Sequence, residues 1–484
     1  MTRPAGGHTS AYPEPHLSRR SFLAASGLGA ASLLLPSRWA PADAAGDPWA
    51  RADAIAAGIS VPTFPARDFD ITRHGAAPDG ADATAAIARA VAACSAAGGG
   101  RVLVPAGTFR TGPVHLRSGV HLHVAKGAVL RFSTDPGDYL PVVPTSYEGN
   151  DCHNYSPLVY AYRQTNIAVT GEGTLDGQAS RQHWWPWVPK AMWGWKRGRP
   201  SEERDKARLR AQGQAGTPVS QRVYGAGHYL RPAFIEPYGC TNVLIEGVRL
   251  VNPPFWQVHP LLSRNVTVRG VTVTSQGPND DGCDPESCDG VLIEDCHFDT
   301  RDDCMAIKSG RGRDGLRRPP SRNIVVRGCR VSRGGGGVAI GSEEAGGVSD
   351  VYVDGLVGDD PRLSTGVLIK AQSLYGAGTV ERVHVRDVRL AGVRNAAITM
   401  TYHYGGTPEK GPYRPTFRDL SFSGFTCGRS RNALNLDGFP DHPIGPVQVS
   451  DSAFGGVSGQ GVAARNVTGL RLTNVRVNGK PVGG

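Results

Sequence analysis

Short β-branched segments recur along this chain, each too small to bury its own apolar face. Asn242-Val243-Leu244-Ile245, Asn265-Val266-Thr267-Val268, Gly290-Val291-Leu292-Ile293 and Asn323-Ile324-Val325-Val326 are followed by Val351-Tyr352-Val353, Val383-His384-Val385, Leu420-Ser421-Phe422, Val447-Gln448-Val449 and Leu470-Arg471-Leu472. Successive starts lie 23 to 37 residues apart. Most segments alternate apolar and polar residues or carry a brief apolar run, as strands buried on one face do. A second strand often follows a corner, as in Ile245-Glu246-Gly247-Val248-Arg249-Leu250. Such units become stable only by stacking into a continuous core. Uneven spacing argues against a propeller, and the lack of alternating helices argues against a doubly wound sheet. The fold expected is all-β: a parallel β-helix with coils of about 20–25 residues and insertions at the turns.

Composition agrees. The 484 residues include 64 Gly and only 20% charged residues, a profile suited to many tight corners. One clear helix is expected, Ala83 to Ala97, with Asp82 at its N-terminus as the cap. It would close the open end of the solenoid and cover its edge. An insertion at about 181–232 carries five of the eight Trp between Gln182 and Trp195, then a charged, helix-compatible stretch from Ser201 to Gln212. Indole faces suit sugar stacking, yet packing of the insertion onto the solenoid is the simpler expectation.

Residues 1–44 read as a twin-arginine signal peptide. Ser18-Arg19-Arg20-Ser21-Phe22-Leu23 precedes 14 small or apolar residues, and Ala42-Asp43-Ala44 offers a cleavage site. The apolar run is too short for a membrane anchor, so the expected product is an exported, soluble protein with residues 45–484 as its catalytic domain. The leader carries four Arg against one Glu and one Asp, so a formal charge of +10 becomes +8 without it. A basic exported protein suits an acidic polysaccharide; no nucleic-acid motif or dense basic run is present. Nine Cys, an odd number, suggest buried fillers with one or two disulfides among them.

Chemistry concentrates in Pro278-Asn279-Asp280-Asp281-Gly282-Cys283-Asp284 and Asp299-Thr300-Arg301-Asp302-Asp303-Cys304. Asp281 and Asp302 are 21 residues apart, about one coil, so stacking would bring their backbones to about 5 Å. Crowded carboxylates raise at least one pKa. A protonated carboxyl beside ionised neighbours can protonate a leaving oxygen while water is activated, as glycoside hydrolysis requires. Asp-rich turns and Ca²⁺ sites compete for the same residues, although the spacing is not that of an alternating-ligand calcium loop.

The two acidic stretches resemble those of glycoside hydrolase family 28, the polygalacturonase-like enzymes. Thr174-Leu175-Asp176-Gly177-Gln178, Pro254-Phe255-Trp256, Asp284-Pro285-Glu286-Ser287, Ala306-Ile307-Lys308-Ser309-Gly310 and Ile340-Gly341-Ser342-Glu343 extend the likeness, and Phe69 to Phe109 resembles the N-terminal cap. The resemblance spans roughly residues 69–475. It implies a single-stranded right-handed parallel β-helix and an inverting hydrolase of pectic substrates, without metal or other cofactor. Asp302 would be the general acid, and Asp281 with Asp303 would activate water. Lys370 and Tyr404 fall where the family binds substrate, and Lys308 lies near the acids. His259 reads as structural. A monomer without nucleic-acid or membrane partners is expected.

Two departures bear on specificity. Gly335, in the run Gly334 to Gly337, stands where the family has His. Leu368 replaces the Arg of an Arg-Ile-Lys motif, leaving Leu368-Ile369-Lys370. Leucine cannot grip a carboxylate in two parallel bonds, so that subsite should favour a neutral or deoxy sugar, and plain polygalacturonate is not the expected substrate. The large insertion points to exo action. Two other readings share the fold class: a Ca²⁺-dependent polysaccharide lyase, and a non-catalytic glycan-binding β-helix.

Overall fold

The computed structural model describes residues 47–374, 378–406 and 411–483. The expected signal peptide lies outside the described residues. From Asp68 onward the chain winds into a right-handed parallel β-helix, the hand that parallel crossovers almost always take.

Each coil contributes a long strand, a corner and a short strand to one 25-stranded sheet. Long strands such as Arg264–Arg269, Asp289–Glu294 and Ser321–Arg327 stack in strict register. That register aligns Val266, Val291, Ile324, Val351, Val383 and Leu420 into one fully buried inner row. The Asn residues that open these segments have a physical reason. Asn242, Asn265 and Asn323 adopt left-handed backbone angles (φ 58°, 55° and 56°), which Asn tolerates better than most residues. Their side chains also ladder between coils, Asn242 donating to Asn166 Oδ1 at 2.8 Å and Asn323 to Asp289 Oδ1 at 2.7 Å.

A second column of strands forms the wall that carries the site: β1 (Met305–Ile307), β2 (Gly336–Ile340), β3 (Thr365–Lys370), β4 (Ala396–Thr401), β5 (Asn432–Asp437) and β6 (Val462–Arg465). Met305, Val338, Val367, Ile398 and Leu434 point into the core. The intervening ladder Ala306, Ala339, Leu368, Thr399 and Asn435 faces outward. Single bridges Val258–Cys283 and Cys283–Met305 continue this wall toward the N-terminus.

Helix α2 (Thr84–Ala96) buries Ala86, Ile87, Ala90, Val91 and Cys94 against the first coils, closing that end as expected. The cap position itself falls to Ala83, which has no side-chain cap bond, so the expected capping role of Asp82 is corrected: one residue earlier, Asp82 Oδ1 accepts from the Thr84 amide at 3.0 Å and its hydroxyl at 2.6 Å. A helix not foreseen from the sequence, α1 (Pro48–Gly58), lies along the outside of the long sheet. Asp53 pairs with Arg327, Arg51 with Asp350, and Trp49 sits edge-on to Tyr352 at 6.2 Å.

The segment at about 181–232 contains α3 (Glu203–Ala215). Val223–Tyr224 pairs with the hairpin Val143–Tyr147/Asn150–Asn154. Together these segments enclose a separate apolar cluster of Tyr147, Cys152, Leu209, Tyr224, Leu230, Phe255 and Trp256. This is a built wall with its own core. The cysteines correct an expectation: all nine are buried free thiols, with no disulfide. Instead several bond to backbone carbonyls, Cys240 to Ala161, Cys288 to Pro260 and Cys304 to Arg333, at 3.3, 3.1 and 3.0 Å.

Candidate active site

Asp302 and Asp303 stand on the turn that enters β1, and Asp281 stands one coil earlier. The Gly282 amide donates to the Asp303 carbonyl at 3.0 Å, which fixes the two turns in register. Any side chain at 282 would collide with Phe298 and the Cys304 carbonyl, both 2.4 Å from a Cβ there, so glycine is required for this approach. The expected convergence occurs: one oxygen of each of Asp281, Asp302 and Asp303 lies within 4.8 Å of the others. Asp281 and Asp303 are 3% and 1% exposed, whereas Asp302 is only partly buried.

Burial, reinforced by the neighbouring Asp303, pushes the Asp302 carboxyl above the usual range. Burial does the same to Asp281 more strongly, helped by the charges of Asp284 and Asp302 and opposed by Lys308. The cluster therefore holds protons at pH values where isolated carboxyls have lost them. Lys370 Nζ donates to Asp303 Oδ2 at 2.5 Å. Lys308 Nζ lies 3.3 Å from Asp281 Oδ2 and 3.2 Å from Glu343 Oε2, with its charge 4.3 Å above the Trp256 ring. Lys370 in turn lies 4.6 Å from the Tyr404 ring centre. All six expected site residues thus meet in one place. Two ammonium groups already occupy positions beside the carboxylates where a cation would take its ligands, which suits acid–base chemistry better than a calcium centre.

The groove opens to both sides of this cluster. One lobe, about 390 Å³, is lined by Trp256, Lys308, Arg311, Ser342 and Glu343 and is bounded by Glu148 and by Arg210 of α3. The other, about 760 Å³, runs past Gly335, Leu368, Thr399, Asn435 and Arg431. Asp302, Asp303, Lys370 and Tyr404 border both. Gly335 and Leu368, the two departures, consequently face the groove rather than the core.

Several residues beyond these six hold the cluster in place. Asp280 is fully buried and accepts from the amides of Asp302 (2.8 Å), Gly277 (2.9 Å) and Arg301 (3.1 Å), binding one acidic turn to the next. Arg231, from the insertion, donates to Asn279 Oδ1 and the Pro278 carbonyl, both at 2.7 Å, and to Glu202 Oε2 at 3.0 Å. Glu343 pairs with Arg311 as well as Lys308; burial opposes its charge, but these cations hold it well below the ordinary carboxylate range. His259 is structural, as expected, bridging Glu236 at 3.1 Å and Glu286 at 2.8 Å. Trp184, Trp185, Trp187, Trp193 and Trp195 line neither lobe. Trp185 instead packs on Gly277 and donates to the Pro253 carbonyl at 3.0 Å, and Trp193 carries the Arg301 guanidinium 4.9 Å from its ring centre. Trp185 and Trp193 thus brace the acidic turns.

Comparison with known proteins points the same way. The family model described as "Glycosyl hydrolases family 28" matches residues 211–475. A Vitis vinifera protein named "Probable polygalacturonase" is 29% identical over 73% of this chain and 66% of its own length. The exo-poly-alpha-D-galacturonosidase of Dickeya chrysanthemi is 26% identical over 74% of this chain and 61% of its own. This chain therefore spans about two thirds or less of those two relatives. The crystal structure of a hyperthermoactive exopolygalacturonase from Thermotoga maritima superimposes with a TM-score of 0.86 at 39% identity, covering 89% of this chain and 96% of the other.

Proposed function

Since the chain belongs to glycosyl hydrolase family 28, we propose that it hydrolyses glycosidic bonds in a pectic chain, working inward from one end, outside the cytoplasm. The observation that carries the reading is the convergence of three carboxylates within 4.8 Å at the junction of the two groove lobes.

Asp302 is the most accessible of the three, so it is the one placed to pass a proton held by the crowded cluster to the departing glycosidic oxygen. Asp281 and Asp303 orient water and take its proton as the C–O bond forms. Each turnover moves one proton onto the leaving oxygen and one from water to the paired carboxylates, so the cluster resets by exchange with solvent. We assign inversion to this arrangement. The usual carboxylate-separation rule taken alone favours retention at such short spacing, so proton NMR of the first-formed anomer is the decisive measurement. A product that keeps the substrate's configuration overturns the assignment.

Exo action is supported by the bounded lobe. Glu148 and Arg210 line this lobe beside the insertion's wall. A chain end would seat there, with the remaining polymer running out along the larger lobe. At Leu368 the larger lobe presents an apolar side chain, so we propose a neutral or deoxy sugar at that position, as in a rhamnogalacturonan-type or substituted fragment. A second reading, unsubstituted polygalacturonate, is favoured by the likeness to the Thermotoga maritima exopolygalacturonase. Hydrolysis rates on the two substrates, with sizing of the products, separate them. Faster turnover of unsubstituted polygalacturonate removes the first reading, and a ladder of internal fragments removes exo action. Residues 18–44 support export by the twin-arginine route, which fractionation of producing cells would test.

A further inference from the structure

Beyond Leu368 the larger lobe is lined chiefly by neutral groups. Ser364, Thr365, Thr399, Asn395, Asn432 and Asn435 supply hydroxyls and amides. Lys370, the lysine of this lobe, is already paired with Asp303. Arg431 is different. Its side chain is exposed to the groove and, among the described residues, has no carboxylate partner.

Its position follows from one continuous hydrogen-bonded column. The Gly335 amide donates to the Asp302 carbonyl at 2.9 Å and the Ser364 amide to the Gly334 carbonyl at 2.8 Å. Asn395 then donates to Ser364, and Arg431 to Asn395, each at 2.9 Å, and Gly459 closes on the Arg431 carbonyl at 2.7 Å. Arg431 thus stands at the same point of its coil as Asp302, four coils farther along the groove. At about 4.8 Å per coil the two backbones are roughly 19 Å apart, a span of several sugar rings. Gly459 is a condition of the placement: a Cβ there would lie 3.4 Å from Arg431 Cγ and 2.7 Å from Asn432 Oδ1. With no side chain at 459, this coil closes on the Arg431 carbonyl, 2.9 Å from where a Cβ would stand, and Arg431 lines the groove.

We propose that Arg431 is a specificity-determining residue that binds the carboxylate of a uronic acid unit several rings away from the cleaved bond. A guanidinium there meets a planar carboxylate in the two-bond geometry that Leu368 cannot provide. The acidic unit is therefore selected at a distance, while the position at Leu368 takes a sugar without charge. This inference rests on the pectic, end-on reading above, since only a chain seated against Arg210 and Glu148 leaves its remainder in the larger lobe.

The test is a length series. Wild type, Arg431→Gln and Arg431→Lys are assayed on oligogalacturonates and on alternating galacturonate–rhamnose oligomers of two to eight units, in low and high salt. For the long members Arg431→Gln should lose about tenfold in kcat/KM, the scale of one charge-assisted hydrogen bond. The loss should lie in KM, fade with added salt and vanish for the dimers. Arg431→Lys should recover part of it. An equal loss at every length, or none at any, overturns the role of Arg431 while leaving the function intact. If wild type itself cleaves no acidic oligomer of either series, the functional reading falls, and this one with it.

Discussion

The amide of Gly335 donates to the carbonyl of Asp302 at 2.9 Å, and a Cβ on the same residue would lie 2.8 Å from Asp303 Oδ1. Gly335, at the position where the family resemblance led a histidine to be expected, is therefore packed against the acids. Because Asp303 is buried and held by Lys370, it has little room to yield. Gly335→Ala should lower kcat by about tenfold, the result of a sub-ångström misplacement of a reacting group, with circular dichroism unchanged. Full activity in the alanine variant would mean that the carboxylate moves freely.

Lys308 sets the protonation of Asp281. It opposes the rise in pKa that burial and Asp284 impose on Asp281. In Lys308→Met that opposition is gone, so Asp281 should lose its proton only at higher pH. For a group that must accept a proton from water, the acidic limb of kcat/KM against pH moves upward, with a depressed maximum. Glu343→Gln should do the reverse, because it releases Lys308 from a competing anion at 3.2 Å. A pH profile of Lys308→Met that overlays wild type would disconnect Lys308 from the base.

Much of this was legible in the chain itself, for identifiable reasons. Segments opened by Asn or Gly carried the corner geometry, and their β-branched residues carried the inner row. Asp281 and Asp302 could be brought together because their spacing matched one coil. Less visible was anything held by loops. Helix α1 has only Ala52 and Ile55 buried and docks through ion pairs, so no apolar stripe announced it. Arg231 meets Glu202 and Asn279 together only after the insertion folds back, a pairing that no local spacing encodes. The five tryptophans gave a correct location, but composition alone could not separate bracing from sugar stacking. The cysteines invited disulfides by number, whereas stacked coils bury all nine as free thiols, several of them beside a backbone carbonyl.

Buried titratable groups behind the site should make the fold weaker in alkali. Asp284 has both oxygens buried without hydrogen-bond partners among the described residues, and burial raises its pKa to about 8. A carboxyl raised above its unfolded value stabilises fully below about 4, and that contribution is lost as pH climbs through about 8. His259 acts in the same direction. Burial works against its charge, but bonds to Glu236 and Glu286 outweigh this and lift it to about 9, so its contribution fades between about 6.5 and 9. The melting temperature of wild type should therefore fall from pH 6 to 9. Asp284→Asn, which never ionises, should gain on wild type between pH 4 and 8 and then hold a constant lead. A lead that does not change with pH would show that Asp284 keeps the same charge folded and unfolded.

Arg231 joins the insertion to the acidic turn, so its loss should register in both stability and rate. Its guanidinium is fully buried and donates to Glu202, to the carbonyls of Pro254 and Pro278, and to Asn279. Arg231→Met leaves Glu202 as a buried charge short of one partner and should cost about 3–5 kcal/mol, the usual penalty for breaking such a pair. Adding Glu202→Gln removes the stranded charge, so the double variant should be more stable than the single one in denaturant titrations. The rate should not recover in step. Asn279, in a left-handed conformation at φ 52°, still lacks the donor that fixes its side chain two residues before Asp281. A double variant that regains stability and kcat together would mean that Arg231 supports the fold alone and leaves Asp281 to position itself.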